Sequence, residues 1–168
     1  LLLNPEVTTY DEQGKKDYVL TSERADYLDS GEISFKGKVN VRSSSGITHK
    51  MKTKELLVGT KTDDLVSNKK VTYLGENAKI VSQGMHMQTR DDKMKLTGKT
   101  VIKQDSGQKI LTKNLNIDQS NGQKHYYSKH NTTYLAKEDT IYSTGMDLDM
   151  QEKILQLSGK VKILQNSG

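Results

Sequence analysis

The sequence predicts an all-β protein built from antiparallel strands in a repeating sheet, and three observations carry that expectation. Residues 32–41, EISFKGKVNV, are apolar at Ile33, Phe35, Val39 and Val41 and polar at Ser34, Lys36, Lys38 and Asn40. That is the period of two of a strand with one buried face. The stretch returns as MKLTGKTVI at 94–102 and LQLSGKVKI at 155–163, with Gly-Lys pairs at 37/38, 98/99 and 159/160, so both gaps are 61 residues (98 − 37 and 159 − 98). No convincing helical period occurs anywhere in the chain.

The elements follow in order. Residues 8–10 follow the single proline, Pro5, and lead to a turn signal at Asp11-Glu12-Gln13-Gly14, where glycine supplies the freedom a tight turn needs. Residues 17–28 come next, with Tyr18, Leu20, Ala25 and Tyr27 as inward positions, and Asp29-Ser30-Gly31 turns the chain into the 32–41 strand. Ser43-Ser44-Ser45-Gly46 is a further turn; its counterparts are Asp105-Ser106-Gly107 and Asn166-Ser167-Gly168. Residues 47–58 alternate through Ile47, His49, Met51 and Thr53 and then change phase to Leu56 and Val58, as at a bulge or break. Residues 110–117 repeat this segment at an offset of 59. Residues 71–74 match 132–135, and 79–87 match 140–148, both at 61. Gly84 and Gly145 interrupt the second pair at the same place, where a bulge or sharp bend is expected. Gly75-Glu76-Asn77 and Asn121-Gly122 are turns. A dozen or more short strands result, stacked as repeats in one domain over 1–168, with two curved layers forming a sandwich or jelly roll.

Composition narrows the function. The apolar fraction is 32%, with one Phe and no Trp, against roughly 45–50% in an average globular domain. Because these residues alternate, the expectation is an ordered sheet with a thin core. There is no cysteine, which excludes a disulfide framework and thiol chemistry. No apolar run reaches the length of a membrane span, and Leu1–Leu3 is too short for a signal peptide. The net charge of +5, 26 basic against 21 acidic residues, suits an acidic partner such as a phosphorylated lipid or a nucleic acid. A solvated outer face accounts for it better, since the basic residues fall at strand-alternate positions.

The repeated motifs resemble the OstA-like family of lipopolysaccharide transport proteins, its LptC branch first and its LptA branch next. The residues that carry the resemblance are Phe35-Lys36-Gly37-Lys38-Val39, Leu96-Thr97-Gly98-Lys99 and Leu157-Ser158-Gly159-Lys160-Val161, with Thr53-Lys54-Glu55-Leu56 and Thr112-Lys113-Asn114-Leu115. The opening at residues 10–20, YDEQGKKDYVL, and residues 71–96, with Ser82-Gln83-Gly84-Met85, are similar to the LptC soluble domain. The resemblance implies a twisted antiparallel β-jellyroll with an apolar interior groove. It also implies a non-catalytic periplasmic bridge that takes lipopolysaccharide from an inner-membrane ABC exporter and passes it to an LptA-like protein by edge-strand addition. An N-terminal membrane helix, absent from these residues, is the tether it implies.

Acyl chains need a continuous apolar trough and no directional chemistry. Ile33, Phe35, Val39, Val41, Met51, Tyr73, Ile80, Met85, Met87, Met94, Leu96, Ile102, Ile141, Leu155, Leu157, Val161 and Ile163 would line it, the methionines adapting to irregular chains. The same columns would serve as the closed core of a head-to-tail β-scaffold without lipid cargo, the alternative reading. The partner edges are expected at Leu155, Leu157, Val161 and Ile163 and, at the other end, at Tyr18 and Leu20. Lys153, Lys160 and Lys162 would blunt the C-terminal edge.

No cofactor or metal is expected. His49 with Met51, and Met85-His86-Met87, carry ligands suited to Cu(I), yet alternation turns His86 away from Met85 and Met87. Asp147 and Asp149 share a face and Asp63 adjoins Asp64, with no His or Ser at a spacing that points to acid–base or nucleophilic catalysis. Asn131-Thr132-Thr133 matches a glycosylation acceptor, which has no role in a bacterial periplasm. No phosphate-binding glycine loop occurs, and the basic residues lack the interleaved aromatics of a single-strand nucleic-acid surface.

Overall fold

Alternation and turn chemistry together give seventeen strands among the described residues. The computed structural model describes residues 1–43, 50–75, 77–120 and 122–165. Ser44, Ser45, Gly46, Ile47, His49, Glu76, Asn121 and the expected turn at Asn166-Ser167-Gly168 lie outside them. In chain order the strands are β1 (Leu2–Leu3), β2 (Glu6–Tyr10), β3 (Lys16–Thr21), β4 (Arg24–Tyr27), β5 (Glu32–Ser43), β6 (Lys50–Gly59), β7 (Asp64–Ser67), β8 (Val71–Leu74) and β9 (Ala78–Gln88). After a short turn of 3-10 helix at Thr89–Asp91 come β10 (Lys93–Gln104), β11 (Lys109–Asp118), β12 (His125–Ser128), β13 (Thr132–Leu135), β14 (Asp139–Ser143), β15 (Gly145–Asp149), β16 (Ile154–Ser158) and β17 (Lys162–Gln165).

All pairings are antiparallel and sort into two ladders. A front ladder runs β1-β4-β5-β6-β7-β9-β10-β11-β12-β15-β16. A rear ladder runs β2-β3-β5-β6-β8-β9-β10-β11-β13-β14-β17. The long strands β5, β6, β9, β10 and β11 give one half to each ladder, and the short strands supply the two halves separately. The molecule is therefore one sheet folded along a crease, a jellyroll whose two inner faces pack on each other. The 61-residue repeat spans four successive rows of this sheet: β5, β6, β7/β8 and β9 recur as β10, β11, β12/β13 and β14/β15.

Crossing the crease sets the phase of the sequence. Inward residues flanking it are three apart in rows running from rear to front: Ser22/Ala25, Thr53/Leu56, Ser82/Met85, Thr112/Leu115 and Ser143/Met146. They are four apart in rows running the other way: Phe35/Val39, Ser67/Val71, Leu96/Thr100 and Ser128/Thr132. The phase change between Thr53 and Leu56 is this crossing. In β5 and β10 the longer path is a bulge, with register shifts between Lys36 and Val39 and between Thr97 and Thr100. Gly37 and Gly98 adopt φ 73° there, a value that favours glycine. The bulge expected at Gly84 thus lies on the facing strand. A Cβ at Gly84 would stand 2.6 Å from Thr97 Oγ1 and 2.7 Å from the Ser67 carbonyl, so glycine is required there for close approach. At Gly145 the chain does break, at Thr144 between β14 and β15.

Bending a sheet frees carbonyls, and buried hydroxyls take them up. Ser67 Oγ donates to Glu55 O and Ser128 Oγ to Lys113 O, both at 2.7 Å. Ser22, Ser82 and Ser143 each donate to the carbonyl two residues on, at 2.9 Å. Between the layers the core is closed around Val39, Leu56, Leu96, Ile102, Ile110 and Leu115.

Candidate functional site: an apolar cleft and the sheet edges

The interior is not closed along its whole length. At the N-terminal end a cleft of about 570 Å³ opens between the layers, within the range of small-ligand sites. Val7, Leu20 and Val41 line it from the rear layer, and Ile33, Phe35, Val58 and Leu65 from the front. Its rim carries Asp11, Glu12, Asp17, Asp63, Arg90 and Asp92, with Arg90 Nη2 2.8 Å from Asp63 Oδ2. Burial first, then Asp92 and Asp11, pushes the Asp17 carboxyl above the usual carboxylate range. Partial burial shifts Asp92 the same way, and burial, with Asp17 and Asp92 beside it, raises the Tyr18 hydroxyl.

Further along, aromatic side chains close the gap. Tyr73 of β8 and Tyr126 of β12 come from opposite layers and are both fully buried. Their hydroxyls are hydrogen-bonded. Lys124 Nζ donates to Tyr73 Oη at 3.1 Å and lies 5.7 and 5.9 Å from the two ring centres, a cation–π geometry.

Of the residues assigned to a trough, Ile33, Phe35 and Val41 line the open cleft. Val39, Met51, Tyr73, Ile80, Met85, Met87, Met94, Leu96 and Ile102 are buried in the packed core. Ile141, Leu155 and Leu157 are half-buried, while Val161 and Ile163 are 48% and 59% exposed. The last two sit at the terminal row, Val161 just before β17 and Ile163 within it, and no further strand covers that row among the described residues. There β16 pairs only with β15, and β17 only with β14, among the described residues. Leu155, Leu157, Val161 and Ile163 thus lie on a free edge. The other edge differs from expectation: β3, with Tyr18 and Leu20, is paired on one side by β2 and on the other by β5. The outer row is β1/β2, and Tyr18 and Leu20 face inward. Tyr27, an expected inward residue, is exposed at that end.

The outer surface of the front layer holds histidine–carboxylate pairs the sequence did not reveal. His125 on β12 lies 3.6 Å from Asp147 and 3.9 Å from Asp149 across the ladder, and His86 lies 3.3 Å from Asp64. The partner of Asp147 and Asp149 was hidden because it stands more than twenty residues away in sequence and becomes adjacent only through the β12–β15 pairing. Asp149 is held below the usual carboxylate range by the backbone N–H groups of Glu152 and Gln151. Asp118 is held there by the Ser120 hydroxyl and N–H.

A family model described as lipopolysaccharide-assembly, LptC-related, matches residues 1–100 and again 86–166. The chain belongs to the LptC-related family. The second match begins inside β9 and covers the second set of rows, so the family pattern recurs with the structural repeat. The LptC-related family is a transport and bridge family of the lipopolysaccharide assembly machinery in the periplasm. No curated protein matches the chain. No helix among the described residues is long and apolar enough to cross a membrane.

Proposed function

We propose that this LptC-related chain is a single jellyroll unit that binds the acyl chains of lipopolysaccharide in its interior and hands the lipid on without catalysis. The observation that carries this reading is the cleft at the N-terminal end, walled by Phe35, Ile33 and Val58 on one layer and Leu20 and Val41 on the other. Cargo enters there from the inner-membrane ABC exporter. It leaves along the terminal row, where an LptA-like partner adds a strand to β16 and β17 and continues the apolar face of Leu155, Leu157 and Val161. A trough that continues across such a junction needs no active site, only unbroken apolar surface.

The closed core around Leu96 and Ile102 favours the second reading, a head-to-tail β-scaffold without lipid cargo. Photo-crosslinking separates the two. A photoreactive residue at Phe35, Leu96 or Leu157, with Lys36, Thr97 and Ser158 as outward controls, is tested with lipopolysaccharide and an active exporter. Adducts at Phe35 and Leu157 and none at the controls are expected. Silence at Phe35 and Leu157 in a folded protein assigns the scaffold role.

A further inference from the structure

Five of the 26 basic residues form one line on the folded molecule. On the rear layer, Arg42, Lys50, Lys79, Lys103 and Lys109 are exposed on the outer face. The register sets them in one line across six rows: Arg42 opposes Lys50, Lys50 opposes Leu74, Leu74 opposes Lys79, Lys79 opposes Lys103 and Lys103 opposes Lys109. At the usual strand spacing this line is about 24 Å long. Like charges set directly opposite each other weaken strand pairing, and none of the five makes an ion pair among the described residues. The acidic residues of the rear strands, Glu6, Asp17 and Asp139, lie in the outer rows, in β2, β3 and β14. The front layer carries Glu55, Asp64, Asp118, Asp147 and Asp149 on its strands instead. Beside the basic line, one row nearer the crease, Val81, Val101, Leu111 and Tyr142 follow each other with Thr133 between the last two. Leu111 and Tyr142 are 37% and 43% exposed.

We propose that this face docks on an anionic phospholipid bilayer. A bilayer surface is a plane of phosphates above apolar chains. It meets a line of cations and an adjoining row of partly exposed Val, Leu and Tyr with matching chemistry. The cations bind headgroup phosphates, Tyr142 and Leu111 sit at the interface, and the repulsion along the line is relieved on docking. The face is separate from the interior cleft, so it holds the jellyroll against the membrane while the cleft stays free.

The test is co-sedimentation of the chain with vesicles of phosphatidylethanolamine and phosphatidylglycerol, and with vesicles of phosphatidylcholine alone, at physiological salt. Binding to the anionic vesicles only is expected. The triple variant Lys79→Gln, Lys103→Gln and Lys109→Gln weakens it on the order of 100-fold, about fivefold for each cation removed. The front-layer triple Arg24→Gln, Lys93→Gln and Lys95→Gln, which removes the same net charge, weakens it less than about fivefold, the screened long-range share. Circular dichroism melting of both variants confirms that they fold. Failure to bind anionic vesicles overturns the proposal, as does equal loss in the two triples. Tighter binding to polyglutamate or RNA than to vesicles at the same salt also overturns it and assigns the face to an acidic polymer.

Discussion

At the scale of single residues, the cleft rim sets carboxylates against one another. Asp17 titrates above the usual carboxylate range because burial, Asp92 and Asp11 all disfavour its charge. Between its unfolded value and its raised folded value the native state holds the extra proton. Stability therefore falls as pH rises through that window and stays lowered above it. Asp17→Asn removes the charge and is expected to stabilise the fold at pH 7, by no more than about 1 kcal/mol for so exposed a group. The gain disappears below pH ~4, near the unfolded carboxylate value. Urea denaturation at pH 7 and pH 3.5 measures both ends. A variant less stable than the parent at pH 7 would show that other contacts of Asp17 outweigh the repulsion.

At the scale of elements, the crease decides what each strand must carry. Gly98 follows Thr97 into the bulge of β10 with φ 73°. A Cβ there would run into the Gln83 side chain, whose Oε1 accepts a hydrogen bond from the Lys99 N–H at 2.9 Å. Gly98→Ala therefore combines a left-handed backbone cost with the loss of that bond, about 2–3 kcal/mol together. Gly107 has φ 97°, and a Cβ added to it would meet nothing within 4 Å, so Gly107→Ala suffers the backbone cost alone, about 1–2 kcal/mol. Equal losses in the two variants, measured by urea denaturation, would mean that the Gln83 contact adds nothing. The alternation, the repeat and the change of phase at Thr53/Leu56 were all legible, because each is written in spacing along the chain. The bulge site was not, because Gly84 stands opposite Thr97, next to Gly98, across the sheet and sequence spacing alone does not say which strand holds the extra residue. The serines that bind freed carbonyls at the crease were missed for a related reason: as isolated polar residues within apolar columns they read as ordinary strand polarity.

For the whole molecule, the repeat yields two sets of rows that are alike in backbone and unlike in filling. The N-terminal set ends in a cleft, and the second set is closed. One pair of equivalent positions marks the difference: Leu65 lines the cleft, and 61 residues on stands Tyr126, which reaches from the front layer to Tyr73 and Lys124. A phenol at this position fills the gap between layers and anchors its hydroxyl, whereas a leucine leaves it open. Neither residue stood out in the sequence, and apolar columns alone do not tell a packed interior from an open one, since either uses apolar side chains. If Tyr126 limits how far cargo passes, Tyr126→Leu should extend the cleft toward the core. The expected cost is about 1–3 kcal/mol, from lost packing and the lost hydrogen bond, read by urea denaturation. The gain is lipopolysaccharide adducts at Leu96, a position the parent protein keeps sealed. Reduced stability without adducts at Leu96 would mean that the interior stays shut by the packing of Leu96, Ile102 and Ile110 themselves, and that cargo moves along the terminal edge and not through the core.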